Sequence, residues 1–379
     1  MLPSPPPAPT PEALELATLK RKYVVLEAEN DLIKGKGNKR QINTGRSLSR
    51  VVDLFFGPRE LVQEADRRIE HLTAGGEAVF SAEQEARYKS YLELVNQVPL
   101  LKHLLEQGES EPVQVLLRNT QLKKGSDNAR SDDTAKLKAA IVPWVDAAFG
   151  TSTPPLRSDS KFERGLDNDI TGRLLCPGEY SWDDSITRNN IREGHESYLV
   201  TAHSWPLFLY EDYTCDIEDV QKGLLKSPML VKAFKYLFTS PSSASEDHTD
   251  APRPAKRAKN KHGATRTNVA GLIGLKNVTP RSIAYVAVQL RFALSNTTSW
   301  RLVDIDFSQV EFYGAIVDFF ESTPGPRTQA NAEKLLAWWN MQIFGRGNGA
   351  SKASELARRH ASSSMSRMAS QRQALEDAE

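Results

Sequence analysis

Carboxylate and imidazole side chains crowd the middle of this chain. Asp167, Asp169, Asp183, Asp184, His195, Glu196 and His203 lie close in sequence, and residues 159–219 hold 14 Asp/Glu against 5 Lys/Arg. Groups of this kind can hold a divalent metal or pass protons. Their spacing matches no compact ligand motif, such as two histidines four apart on a helix with a glutamate between them. A solvated acidic face with one or two hydrogen-bonded histidines is the expected arrangement. The alternative is a metal-dependent nuclease or hydrolase. It requires three of Asp167, Asp169, Asp183, Asp184, Asp304 and Asp306 to meet in one cleft. The two cysteines, Cys176 and Cys215, are far apart in sequence and read as small core fillers. GKGNKR at 35–40 lacks both a preceding strand and a Ser/Thr after its lysine, so it is not a phosphate loop. No catalytic residue, metal ligand or cofactor is therefore assigned.

The basic clusters point to partners instead. Arg253, Lys256, Arg257, Lys259, Lys261 and Arg266 sit together with no acid among them. Within them, PRPAKRAKNK has the pattern of a nuclear import signal that a receptor reads as an extended peptide. A second run, Lys34 to Arg50, has six cations and no anion. It follows the heptad segment described below, whereas a basic zipper places its basic helix first. A net charge of +1 leaves weak, sequence-blind nucleic-acid contact at most.

Heptad spacing marks the first element that would position anything. Leu16, Leu19, Tyr23, Leu26, Asn30 and Ile33 alternate steps of three and four, which is the a/d stripe of a short coiled coil. Asn30 falls at an a position, where a buried amide fixes register. A weak homodimer through residues 12–34 is expected, after a Pro-rich segment (1–11) with six prolines. A basic linker (35–46) and one α-helical domain (47–345) follow.

Within that domain, Leu48 to Phe56 forms one apolar face ending at Gly57-Pro58. A second face runs from Leu61 to Leu72. A long helix begins near Ser81 and is kinked at Pro99. Val113–Leu122 and Thr134–Phe149 read as two more helices, the latter kinked or divided at Pro143. Residues 151–180 read as ordered loop, and 217–238 as one helix. Residues 240–266 are too polar to order and form a disordered loop. Thr279-Pro280 supplies an N-cap and a proline at the first helical position. Ser308 to Glu311 is a capping-box pattern. The aromatic helix holding Trp338-Trp339 closes at Gly345. Two adjacent tryptophans cannot face one way, so one of them is partly exposed unless the helix packs on both sides. Residues 346–379 read as a charged Ser/Ala-rich tail.

Two resemblances attach to these segments. LVDIDFSQVEF at 302–312 is similar to the metal-binding motif A of family A DNA polymerases. The partner motif is absent downstream, and the same letters open an amphipathic helix. VTPRSIAYVAVQLRFAL with Trp300, the 306–321 helix start, LLAWWNMQIFG and SWPLFLYED (204–212) together resemble an uncharacterised family of mushroom-forming basidiomycete fungi, over roughly residues 160–345. That resemblance implies a fungal origin, a helical domain and no inherited catalytic residues.

Composition agrees with this organisation. The hydrophobic share is 39%, low enough to predict polar segments outside a globular core. Two cysteines exclude a disulfide scaffold. No uncharged apolar run approaches the roughly 20 residues of a membrane span, and no signal pattern opens the chain. The expectation is a mainly α, non-enzymatic interaction or scaffold protein of the nucleus, otherwise of the cytoplasm.

Overall fold

The computed structural model describes residues 37–108, 113, 117, 120–245 and 268–345. The heptad residues Leu16 to Ile33, the import-like cluster Arg253 to Lys261, the Pro-rich start and the 346–379 tail lie outside the described residues. The chain is mainly α-helical, with one two-stranded sheet among the described residues. It divides into two compact units at Asp132 and Asp133, where one helical domain over 47–345 is expected from the sequence.

The first unit holds α1 (Gly37–Val51), α2 (Pro58–Thr73), α3 (Ala82–Gln97), α4 (Pro99–Glu106) and the start of α5 (Thr120–Phe149). Residues 37–46 are thus helical, not a linker. Gly45 explains why a glycine stands in this helix. A Cβ there would lie 2.0 Å from the Leu122 carbonyl oxygen, and one at Gly125 would lie 2.2 Å from that of Ile42. The two glycines let α1 and α5 touch backbone to backbone. α1 stops at Val51 rather than at Gly57-Pro58. There the Asp53 carboxylate accepts the Phe55 and Phe56 amides at 2.9 Å and the Ser90 hydroxyl at 2.7 Å, an Asx turn competing with helix. Ser81 caps α3, accepting from the Gln84 amide at 3.2 Å. Pro99 divides rather than kinks the next helix. Val98, at φ −121° and ψ 83°, is pushed out of the α region by the proline after it. α5 starts well before Thr134 and carries Pro143 without a break.

The second unit is built around α11 (Pro280–Leu294). Before it come α6 (Asp169–Leu175), α7 (Ser185–Glu193), α8 (Pro228–Phe234, continued by a π turn to Thr239), α9 (Pro241–Ser245) and α10 (Val269–Leu272). After it come β1 (Val303–Asp304), β2 (Phe307–Ser308), α12 (Gln309–Glu321) and α13 (Pro326–Phe344). Every residue of α11 from Arg281 to Leu294 is buried, as expected for a helix enclosed by others. Thr279 caps it, accepting from the Ser282 amide at 3.2 Å. α12 packs along it, with α8 and α6 on other sides. Trp339 is fully buried, its indole donating to the Leu225 carbonyl at 3.0 Å and its ring 5.5 Å from that of Phe234. Trp338 is half-buried at right angles to it. Gly345 at φ +62° ends α13.

Three expected elements differ. Residues 151–180 contain a 3-10 turn (Gly165–Asp167) and α6, which Asn168 caps through the Ile170 and Thr171 amides. The helix expected over 217–238 begins only at Pro228. Gly223 at φ +72° and Leu225 at φ +58° hold the preceding residues in turns, and Ile217 and Val220 are exposed. Of the loop expected over 240–266, residues 241–245 are helical.

Candidate functional site

The C-terminus of α11 is where the second unit concentrates charge. Helix ends leave carbonyls without intrahelical partners, and here they are buried. Two cations from the 157–165 segment satisfy them. The Lys161 ammonium donates to the Phe292 and Thr297 carbonyls and reaches the Ser295 hydroxyl at 3.5 Å. It also lies 3.4 Å from the centre of the Phe292 ring. Arg164 donates to the Ala293, Lys138 and Arg157 carbonyls, each at 2.7 Å. Burial pushes the lysine down to about 7 and the guanidinium down to about 10. Gly165 follows at φ +83°, with Asn296 where a Cβ would stand.

The third cation is Arg291, inside α11 itself. Its side chain is 6% exposed and its Nη1 lies 3.6 Å from Asp304 Oδ2. That nitrogen has no hydrogen-bond partner among the described residues, because 3.6 Å is too long for one. The guanidinium lies 3.2 Å from the Phe307 ring centre, a cation–π contact. Asp304 also accepts from the Thr297 hydroxyl at 2.7 Å. It therefore anchors the hairpin to the end of α11.

The hairpin pairs Val303 with Ser308 and Asp304 with Phe307, so Ile305 and Asp306 form a two-residue turn. Ile305 has φ +57° and is 88% exposed. Positive φ at the first turn position is a glycine's place, and a β-branched residue there is strained. Leu302 and Val303 beside it are 55% and 54% exposed.

Between this hairpin and α7 lies a cleft of about 340 Å³. The end of α7 is held against the 166–169 segment by Arg192. That side chain donates to the Leu166 carbonyl at 2.9 Å, the Asp167 carbonyl at 3.2 Å and the Asp169 carboxylate at 2.6 Å. Arg291 lines the cleft from α11, and Ser295 and Asn296 line it from the residues just after that helix. Asp167, Glu193, Asp304 and Asp306 bring carboxylates to its wall, with Leu199 and Ile305 as apolar neighbours.

The acidic residues expected from the sequence are thus sorted into separate jobs. Asp167, Asp304 and Asp306 do share one cleft. No group of three His, Cys, Asp or Glu side chains among the described residues could hold a metal ion, however. Asp169 pairs with Arg192, Asp183 with Arg173, and Asp184 caps α7 through the Ile186 and Thr187 amides. The Asp184 hydrogen bonds hold its carboxyl below the usual range. His195 Nδ1 accepts from the Ser197 amide at 3.2 Å, and Glu196 is exposed. His203 is exposed, 3.7 Å from Glu311. Cys176 is fully buried, and burial pushes its thiol up to about 12, far from a nucleophile's range. Cys215 is half-buried beside Gly178.

A second groove, of about 710 Å³, runs between α12, α13 and the 211–226 turns, with Trp338, Phe319 and Leu335 on its wall. Sequence reasoning missed Lys161, Arg164, Arg291 and Ile305. One signal was present: Gln289 and Arg291 interrupt the apolar run VAVQLRFAL, and a polar side chain in a fully buried helix needs a partner.

The chain belongs to a family of unknown function, DUF6698, whose model matches residues 124–344. The match starts inside α5, upstream of the 160–345 span over which the sequence resemblance is drawn. No curated protein and no solved structure matches the chain.

Proposed function

We propose that the second unit is a protein-interaction module without catalysis of its own, in a scaffold-type protein. The observation that carries this reading is the hairpin turn. Ile305 holds a left-handed conformation that costs stability while its side chain stands in solvent. Strain that persists at an exposed position is characteristic of a surface kept for contact. Leu302 and Val303 extend the exposed apolar patch, and patches of this kind beside a polar rim mark interaction sites. The test is co-purification from cells expressing the full chain, comparing wild type with Leu302→Ser/Ile305→Gly. The reading expects a stoichiometric partner lost with the variant at unchanged folding. A partner retained by the variant contradicts it.

The same reading places the protein in the nucleus of a basidiomycete fungus. Its support is the cluster Arg253, Lys256, Arg257, Lys259 and Lys261, and the likeness of residues 204–212 and 279–345. Replacing Lys256, Arg257 and Lys259 by Ala should leave a fluorescent fusion cytoplasmic; unchanged nuclear accumulation contradicts the assignment. A weak homodimer through Leu16, Leu19, Tyr23, Leu26, Asn30 and Ile33 completes the proposal, its support being the heptad spacing.

A second reading, a metal-dependent hydrolase, draws on Asp167, Asp304 and Asp306 lining one cleft. Asp304 is already engaged by Arg291 and Thr297, which favours the first reading. Titration calorimetry with Mg²⁺ and Mn²⁺ separates the two. Stoichiometric binding abolished by Asp306→Asn would reverse the order.

A further inference from the structure

We infer that the cleft between the 303–308 hairpin and α7 receives an extended, lysine- or arginine-bearing segment of the partner protein. This rests on the interaction-module reading and adds the chemistry of what is bound.

Size comes first. A space of about 340 Å³ is near the lower end of the roughly 300–1,000 Å³ typical of ligand pockets. It admits a few residues of extended chain and is too small for a helix with its side chains. Charge comes next. The carboxylates of Asp167, Glu193 and Asp306 are exposed at the rim and have no ion pair among the described residues. Arg192, also on the wall, is engaged by Asp169 and two carbonyls. Around the cleft the imbalance is wider. Of the five cations in 159–219, Lys161 and Arg164 are buried under α11, while Arg173, Arg188 and Arg192 face Asp183 or Asp169. A phosphate or carboxylate ligand would meet this field as repulsion, and a cationic one as attraction.

The wall makes a second, independent demand. Arg291 lines the cleft, and its buried Nη1, 3.6 Å from Asp304 Oδ2, has no hydrogen-bond partner among the described residues. A buried donor whose only acceptor stands too far for a hydrogen bond is costly, and it belongs to a side chain on the wall of an acidic opening. A backbone carbonyl is a neutral acceptor that such an opening admits. An extended peptide supplies both parts. Its carbonyls can face the Arg291 side of the cleft, and its side chains point alternately to opposite sides. One side then meets the carboxylates and the other meets Ile305 and Leu199.

The experiment is selection of a random decapeptide display library on the full-length chain, with counter-selection on Glu193→Gln/Asp306→Asn. The expected result is at least threefold enrichment of Lys and Arg over the input library. A selected peptide, synthesised with a fluorescent label and followed by anisotropy, should bind the double variant at least fivefold more weakly. Its affinity should also fall severalfold between 50 and 200 mM salt, because rim charges are screened. Circular dichroism confirms that the variant folds. Peptides that depend on Leu302 and Ile305 but carry no basic enrichment would overturn the basic-segment inference and leave the interaction module standing. Selection of no peptide that depends on any cleft or hairpin residue would overturn both. Preference for acidic peptides would overturn the inference directly.

Discussion

Replacing Ile305 by glycine should make this protein more stable while weakening what it binds. The register Val303↔Ser308 and Asp304↔Phe307 leaves Ile305 at the first position of a two-residue turn, at φ +57°. An L-residue there carries a penalty of about 1–2 kcal/mol. Glycine adopts the conformation without strain, but it loses more backbone entropy on folding, about 0.5–1 kcal/mol. The isoleucine side chain is 88% exposed, so its removal forfeits little buried area. The balance is a gain of about 0.5–1 kcal/mol. Urea denaturation of the full chain followed by tryptophan fluorescence reads it, as a higher midpoint with an unchanged slope. Hydrogen exchange at the 297–309 amides should slow in parallel. Ile305→Ala, which keeps the positive φ, should lie between the two. A midpoint that falls by the equivalent of 1 kcal/mol or more would show that the isoleucine packs against the protein, and the strain reasoning would be wrong. Stability and binding moving in opposite directions is what distinguishes a contact residue from a structural one.

Three further outcomes follow from other parts of the chain. Lys161 titrates at about 7 when folded, against 10.5 in its ordinary state. The unfolded chain therefore binds more protons between those values, and stability rises with pH from about 7 to about 10.5, by up to about 5 kcal/mol. Urea midpoints at pH 6.5, 8 and 9.5 should climb for the wild type and climb much less for Lys161→Met; parallel profiles would show that the ammonium stays charged against its carbonyls. Gly45→Ala and Gly125→Ala place a methyl 2.0 and 2.2 Å from a carbonyl oxygen. Each should lower stability by about 1–3 kcal/mol despite gaining about 1 kcal/mol of helix propensity, and a rise in thermal midpoint would refute the close crossing. Leu19→Asp and Leu26→Asp should abolish dimerisation in light scattering, whereas a wild-type monomer at about 100 μM (well above the micromolar affinity expected of three heptads) would show that the segment does not self-associate.

Where local chemistry decides an element, it was legible. Ser81 with Gln84, Thr279 with Pro280, and Gly345 each end or open a helix as their types require. Trp338 and Trp339 divide between a half-buried and a fully buried environment, as adjacency on a helix demands. Where tertiary contact decides, it was not. Gly37 and Gly45 argue against a helix by propensity, yet α1 forms, because a glycine at 45 is what the crossing with α5 needs. Asp53 reads as one more polar residue on an apolar face. Its carboxylate instead turns the chain by taking two amides and the distant Ser90 hydroxyl. Residues 217–238 show helical periodicity throughout, but Gly223 and the proline at 228 were the stronger signals. A proline at the first helical turn starts a helix, and α8 begins there.

The cleft was hidden for a different reason. Its carboxylates come from the loop before α6, the end of α7 and the hairpin, and no spacing rule links them. The cation they surround sits in a helix buried throughout from Arg281 to Leu294. That placement is itself the clue. α11 is enclosed on all sides, and its polar residues are answered unevenly: both amide atoms of Gln289 have no hydrogen-bond partner among the described residues. Tyr285 is answered by Asp133, whose carboxylate accepts its hydroxyl at 2.9 Å, and Arg281 by Glu321 at 3.1 Å. Arg291 is answered only in part, by an aspartate 3.6 Å away and a ring face. Stability alone would favour an apolar residue at that position. A guanidinium whose Nη1 has no hydrogen bond among the described residues, on the wall of an acidic cleft, beside a hairpin strained to keep an isoleucine in water, joins two local costs at one place. Two costs at one place are what the proposed contact surface would account for together, and the peptide selection on the Glu193→Gln/Asp306→Asn variant is the measurement that tests it.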